Sequence, residues 1–365
     1  MKKHDFHLSS GSYLLNHSVG RPLKSLQQAF QQAYLSPWQD QGREPWSDWL
    51  NVISKFNQAL AKLFNSKAEL FCPQVNLSSA LTKILMSQPK LANKPKVLMS
   101  EIDFPSMGFA LQKSVNADIT FLPKETNVTE FDNWAEYLTD EFDLVFVSHA
   151  YSNTGQCSPV KQIVDLAKQK NVLSIVDVAQ SAGVIPFDLT DISPDFLIGS
   201  SVKWLCGGPG AAYLWLSQTQ LAICQPIDVG WFSHQNPFEF DIHHFEYNDT
   251  ALKFWGGTPS IAPYAFAAHS IEYFAELGSA SVNQHNRKLQ NQLISALTSF
   301  VVSPKEEIKR SGTVILNFDD NQYILEKLTR SNIAVDVRSS GIRVSPHIYN
   351  DENDIKDLIA ILINN

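Results

Sequence analysis

Between residues 96 and 201, five short apolar runs alternate with polar and helix-patterned stretches, and this rhythm constrains the fold of the 365-residue chain more than any other feature. KVLMSE (96–101), ITFLP (119–123), DLVFVSH (143–149), VLSIVDV (172–178) and DFLIGSS (195–201) read as buried strands. VKQIVDLAKQK (160–170) reads as a helix, with Ile163, Val164 and Ala167 on one face and Lys161, Asp165, Lys168 and Gln169 on the other. Strands buried on both faces and joined by helices predict an α/β fold with a mainly parallel sheet. GAAYLWLS (210–217) adds an expected antiparallel strand. Ligands of such sheets collect at the carboxyl ends of the strands. Glu101, His149, Asp177 and the stretch Ser200 to Lys203 stand at those ends.

From about residue 260 the pattern changes. PYAFAAHSIEYFAELG (263–278) reads as a long helix closed by Gly278. TVILNF (313–318), a helix near 321–331, IAVDVR (333–338), GIRVSP (341–346) and a last helix near 351–363 predict a smaller α+β domain. The first 40 residues read as an extended arm packing on the rest, so the expected division is 1–40, 41–260 and 261–365. No internal repeat or low-complexity segment interrupts it.

Charge narrows the function classes. With 29 Lys+Arg and 37 Asp+Glu, the formal charge is −8 and no basic cluster stands out, which argues against nucleic acid as a partner. No apolar run reaches the roughly 18 residues of a membrane span. The start, MKKHDFHLSSGSYLLNHSVG, lacks the apolar segment and cleavage site of a signal peptide. Cys72, Cys157, Cys206 and Cys224 have no C-x-x-C spacing. They read as free thiols of a reducing, cytoplasmic compartment, and a zinc site is not expected.

One lysine is out of place in this pattern. In FLIGSSVKWLCGGPG (196–210), Lys203 follows a strand end and is flanked by bulky apolar residues. A desolvated ammonium must be paired or lose its charge, and a lysine in a Schiff base with a carbonyl does the latter. Asp177, one strand earlier, ends an apolar run and reaches the same rim. It reads equally well as an N-cap. A lysine and a carboxylate at one rim suit pyridoxal phosphate: the lysine holds the aldehyde and the acid keeps the pyridine nitrogen protonated. PQVNLSSALTKIL (73–85) places Asn76, Ser78 and Ser79 at a helix start able to take the phosphate, although serine capping accounts for the same residues. Ser200 and Ser201 offer further hydroxyls, and Phe104 in EIDFPSMGF (101–109) offers a face for the ring.

SHAYSNTGQCSPV (148–160), VDVAQSAG (176–183), DFLIGSSVKWLCGGPGAAYLWL (195–216) and IRVSPHIYNDENDI (342–355) together resemble the class V aminotransferase superfamily of fold type I pyridoxal-phosphate enzymes. VGWFSHQNPFEFD (229–241), LKFWGGTPSIAPYAF (252–266), VDVRSSGIRVSPHIYN (335–350) and LLNHSVGRPL (14–23) are similar to its kynureninase-like branch. The resemblance implies a seven-stranded-type, mainly parallel sheet in a large cofactor domain, a small C-terminal domain, and a homodimer with shared active sites. It makes Lys203 the Schiff-base lysine and proton carrier, Asp177 the partner of the pyridine nitrogen, Gln180 a donor to the cofactor's phenolic oxygen and Phe104 its stacking ring. Ser78, Ser79 and Ser200, with Thr258 of the partner subunit, would hold the phosphate, and Ser152 or Asn153 would contact a cofactor oxygen. Arg343 would fork onto the substrate α-carboxylate, with Trp231, His17 and Ser18 along the side chain.

The chain departs from the kynureninase pattern at Val202, where that branch has a tyrosine, and at Met107, where it has an acid. Its last cysteine, Cys224, lies far from Arg343, unlike the nucleophile of a desulfurase. The implied activity is therefore an aminotransferase working through Schiff-base and quinonoid chemistry on an amino acid. A kynureninase-like hydrolase or carbon–sulfur lyase is the alternative, and a non-catalytic cofactor-binding protein a second one.

Overall fold

The computed structural model describes residues 2–363. A seven-stranded sheet organises the larger part of the chain. Its strands are β1 (Phe71–Gln74), β2 (Lys96–Ser100), β3 (Asp118–Leu122), β4 (Leu144–Ser148), β5 (Leu173–Asp177), β6 (Phe196–Ser200) and β7 (Ala212–Leu216), in the spatial order β1-β7-β6-β5-β4-β2-β3. β7 runs antiparallel to both of its neighbours, and the other four links of the sheet are parallel. All five runs expected between 96 and 201 are strands, and the expected antiparallel strand is β7. The central strands are apolar throughout because both faces are covered: Leu144 to Val147 are fully buried.

The helices that cover the sheet follow from their stripes. α1 (Trp46–Phe64) buries Val52, Ile53, Phe56, Leu60 and Phe64. α2 (Leu77–Ser87) and α3 (Pro105–Val115) follow β1 and β2. α4 (Val160–Gln169) buries Val160, Ile163, Val164 and Ala167, the stripe its sequence marks. α5 (Ala262–Leu277) packs along α1 with Tyr264 against Phe56.

A second hydrophobic cluster gathers Leu289, Leu293, Leu316, Leu328, Val344, Ile355 and Leu358. It is built on the antiparallel strands β8 (Val314–Leu316), β9 (Asp336–Arg338) and β10 (Gly341–Val344). α6 (Ser279–Ala296) enters both clusters, giving Val282 to the first and Leu289 and Leu293 to the second. α7 (Asn321–Arg330) and α8 (Glu352–Ile363) close it.

Three expectations are corrected. ITFLP forms a strand but not a buried one: β3 lies at the sheet edge, and only its Leu122 is buried. The N-terminal segment is not extended throughout, because residues 26–39 are helical: Phe30 and Tyr34 stack on Phe266 and Trp49. Its Ser12–Tyr13 pairs in parallel with Ile333–Ala334, and Leu14 enters the second cluster. IAVDVR is two strands rather than one, since Ile333–Ala334 pairs with that segment while β9 turns to β10. Among the described residues no helix is long and apolar enough to cross a membrane.

Candidate active site

The loop that carries Lys203 joins two antiparallel neighbours, β6 and β7, and must reverse within a few residues. Gly208 and Gly210 take φ of +75° and +89°, the left-handed region that favours glycine. Ser201 fixes the loop from inside: its amide donates to Ala211 O (3.0 Å) and its hydroxyl to Ala211 O (2.9 Å) and Gly208 O (3.2 Å). A Cβ on Gly207 would stand 2.8 Å from that of Ser201. The glycine-rich run is thus what lets the lysine sit on a rigid turn.

That turn forms one wall of a 330 Å³ cavity at the carboxyl edge of the sheet. Ser78, Phe104, Ser152, Asn153, Asp177, Gln180, Ser200 and Lys203, all expected from sequence, line it together. Strand register explains part of this convergence: Ser148 on β4 pairs with Asp177 on β5, and both face the cavity. Asp177 is 7% exposed, and its Oδ1 accepts the Ala179 amide at 2.7 Å. Burial pushes its carboxyl above the ordinary range, opposed by that amide and by Lys203. Burial holds Lys203 below the ordinary lysine value; Asp177 raises it and Arg343 lowers it further. Among the described residues Lys203 Nζ has no hydrogen bond or ion pair.

These features suit a phosphorylated pyridine aldehyde. An unpartnered amine and a buried carboxylate face one cavity, beside the start of α2. There Asn76 caps the Ser79 amide at 2.8 Å, while the amides of Leu77 and Ser78 stay free of protein partners beside the cavity. Phe104 is 59% exposed, which leaves its ring available to a bound group.

Other expected residues stand elsewhere. Ser79 does not line this cavity; it faces a neighbouring one with Thr82, Lys83 and Asp228, and its amide is taken by Asn76. Gln180 lines it, but its amide is engaged: Nε2 donates to His17 O at 3.0 Å and Oε1 accepts from Trp204 Nε1 at 3.4 Å. His17 is buried under the rim between Ser345 and Asp336. Ser18 is exposed, and its amide closes a turn on Leu15 O. Arg343 is 4% exposed and lies one residue's reach away, its Nη1 3.5 Å from the carbonyl of Ser152. Trp231 and Thr258 are bonded to each other (3.2 Å), and Trp231 lines a separate cavity with Phe240 and His244. Of the polar strand ends, Glu101 caps the Lys124 amide and His149 faces the far side of the sheet.

His234, Glu239 and His244 bring ligand-type atoms within 4.8 Å of one another. The Asn236 amide donates to His234 Nδ1 at 2.9 Å, however, which puts the imidazole proton on Nε2 and removes that nitrogen as a metal ligand.

Sequence reasoning missed three contributors. Asp103 is buried beside Phe104 and accepts the Ser100 amide at 2.9 Å; burial lifts its carboxyl to about 7, and Asp177 adds to the lift. Tyr151 lines the cavity with its hydroxyl held by Ser158 at 3.3 Å. Asp336 holds Arg343 through its Nε (2.8 Å) and Nη2. Its signal was available: Asp336 and Arg343 flank the tight SSG turn and are register partners across it.

The chain is similar to known proteins along most of its length. The Aminotransferase class-V family model matches residues 60–358. The uncharacterized aminotransferase YcbU of Bacillus subtilis is 23% identical over 86% of this chain and 84% of its own. A kynureninase of Shouchella clausii is 25% identical over 99% of this chain and 90% of its own. Among solved structures, a complex of the cystine C-S lyase C-DES with its product cysteine persulfide superposes with a TM-score of 0.88, at 20% identity over 98% of both chains. A cysteine desulfurase from Thermococcus onnurineus superposes with a TM-score of 0.85, at 18% identity over 96% of this chain and 94% of its own. The match encloses Ser78, Asp177, Lys203 and Arg343, and this chain, a fold type I enzyme of pyridoxal phosphate, belongs to the class-V aminotransferase family.

Proposed function

We propose that this protein is an aminotransferase acting on a small amino acid. The observation that carries this reading is the poverty of the cavity in free acid–base groups: Asp177 and Tyr151 also line it, but Asp177 is the partner of the ring nitrogen in this reading, and the Tyr151 hydroxyl is held by Ser158 while burial pushes it well above the ordinary tyrosine value. Lys203 Nζ is the one amine on its wall, Val202 stands beside it, and none of the four cysteines lines it. Transamination asks for one proton carrier, which the lysine supplies. A hydrolytic or persulfide-forming cleavage asks for a second acid or a nucleophilic thiol at the substrate side chain.

Pyridoxal phosphate, when bound, supplies an aldehyde and an electron-withdrawing ring. The protein's part is positional and protonic. Lys203 Nζ would carry the substrate Cα proton, and its burial favours the neutral, proton-accepting amine. Asp177 would hold the ring nitrogen, Phe104 the ring face, and Ser78, Ser200 and the free α2 amides the phosphate. Asp336 occupies one edge of the Arg343 guanidinium, so a substrate carboxylate would take the other, beside Ser152 O.

A homodimer fits this reading. Phe240, Ile242 and Ile227 are 76%, 93% and 63% exposed on the segment that carries Trp231, an apolar surface of the kind a second copy covers.

Product analysis tests the proposal. Without an amino acceptor, an amino acid should yield about one equivalent of keto acid per site, with turnover resuming when a keto acid is added. Continuous release of a side-chain fragment without acceptor would make the protein a lyase or hydrolase instead.

A further inference from the structure

At the end of β4, Ser148 and Ala150 face the Lys203 cavity, while His149 between them faces a second cavity of 900 Å³ on the far side. We propose that this rear cavity binds a small organic anion, a carboxylate or phosphate group attached to an apolar body.

The donors come from two directions. α4 begins at the cavity, and its N-cap is Pro159, which has no side-chain acceptor to offer. The amides of Lys161 and Gln162, in the first turn, have no hydrogen-bond partner among the described residues. They leave the positive end of a 10-residue helix uncapped.

Arg287 and Arg310, 9% and 1% exposed, line the same cavity. Arg287 has no carboxylate within 4.0 Å; it donates to Ser311 O (2.8 Å), Gln290 Oε1 (2.9 Å) and Arg310 O. Arg310 donates to Lys305 O (3.1 Å) and Asn291 Oδ1 (2.7 Å), and its buried Nε has no acceptor. The nearest carboxylate, Glu307, is 3.8 Å from Arg310 and is itself 59% exposed.

Buried charges are normally paired, and here two guanidiniums share one solvated carboxylate. The lysines of the wall do not add to this excess, since Lys161 is paired with Asp191 and Lys309 with Glu130 and Glu306. Asp132 on the rim is exposed, where water and salt screen it. Phe131, Ile185, Pro186, Ile192 and Ile308 supply the apolar lining that favours an organic anion over a bare one.

The test is calorimetric titration of the pyridoxal-phosphate-loaded protein, whose phosphate cradle at Ser78 is then filled, with phenyl phosphate and separately with inorganic phosphate. Phenyl phosphate should bind saturably, and inorganic phosphate about tenfold more weakly. Gln162→Glu is the deciding variant. Gln162 is exposed, and an acid in a first helical turn favours the helix, so the fold is retained while a carboxylate meets the incoming anion. It should weaken phenyl phosphate about fivefold or more, and Arg287→Met about tenfold or more. Absence of saturable binding, or unchanged affinity in Gln162→Glu with its melting temperature maintained, overturns the proposal. Equal affinity for the two probes removes the organic body from it.

Discussion

Asp336 holds Arg343 and His17 on one carboxylate: its Oδ1 lies 2.8 Å from Arg343 Nε and 3.0 Å from His17 Nε2. The pairing is set by register, because Asp336 and Arg343 face each other across the β9–β10 hairpin. His17 is fixed on its other side by Ser345 Oγ at 2.7 Å, and Ser345 by Thr313 at 2.7 Å. Burial works to raise the carboxyl of Asp336, but the hydrogen bonds from His17 and Arg343 outweigh it and hold it well below the usual carboxylate range. Asp336 thus sets which edge of the guanidinium is free. Asp336→Asn keeps the shape and removes the charge that orients the fork. The expected result is a KM for the amino acid raised about tenfold, with a smaller change in kcat. Steady-state curves with one good substrate measure this, and an unaltered KM would remove Asp336 from the positioning of Arg343.

The N-terminal segment supports the lysine loop from outside. Gly20 donates its amide to Val202 O at 2.9 Å, and a Cβ there would lie 2.2 Å from the carbonyl oxygen of Lys203 and 2.5 Å from Cys206 Sγ. Both obstacles are rigid, one being backbone and the other a buried side chain. Gly20→Ala should therefore push the lysine turn out of place. We expect about 1–3 kcal/mol of destabilisation and faster loss of cofactor on desalting. Melting curves and visible absorbance before and after a desalting column check it; a variant that melts and retains cofactor like the parent would show that the contact yields cheaply.

Legibility from sequence follows how local the cause of each feature is. The four interior strands between 96 and 201 announce themselves because burial on both faces makes each a nearly continuous apolar run, while β3, at the sheet edge, is legible from Ile119, Phe121 and Leu122 although only Leu122 is buried. β1 escaped because FCPQ is four residues long and contains Pro73; as an edge strand it tolerates a proline that an interior strand would not. Lys203, Asp177 and Ser78 were legible because each breaks the local pattern of its own element. The engagement of the Gln180 amide by His17 and Trp204, and the burial of Asp103, depend on segments remote in sequence that arrive only with the fold.

Two histidines make acid stability measurable. Burial holds His149 at about 4 and His347 at about 3. His347 donates through Nε2 to Trp204 O at 2.8 Å, and its buried Nδ1 has no partner. Both folded-state values lie below that of an unfolded histidine, about 6.5. Below that pH the unfolded chain therefore takes up protons that the folded one refuses. The stability is present in full above about pH 6.5 and falls as the pH drops toward about 4, by about 1.4 kcal/mol per pH unit for each histidine. His347→Gln should flatten the slope by one such increment between about pH 4.5 and 6. Denaturant midpoints at several pH values give the comparison, and parallel slopes for variant and parent would remove His347 from the acid response.

Thr258 tests the proposed sharing of active sites between two copies of the chain. In one chain its hydroxyl accepts from Trp231 Nε1 at 3.2 Å, and it does not line the Lys203 cavity. If Thr258 of the partner subunit completes the phosphate cradle, then Lys203→Ala and Thr258→Ala damage the same site from different chains. Each homodimeric variant should be inactive or weak, Lys203→Ala losing about 10²–10⁴-fold and the visible band of the bound cofactor. In a mixed dimer, the site that keeps Lys203 receives Thr258 from its neighbour and is whole, whereas the other carries both lesions. Co-expression of the two variants with different tags, followed by sequential affinity capture, should therefore restore roughly half the parental activity per dimer. A threonine acting within its own chain gives no rescue, because every site then lacks one of the two residues. Recovery of activity in the mixed dimer, measured against an equal mixture of the two separately purified variants, decides between these arrangements.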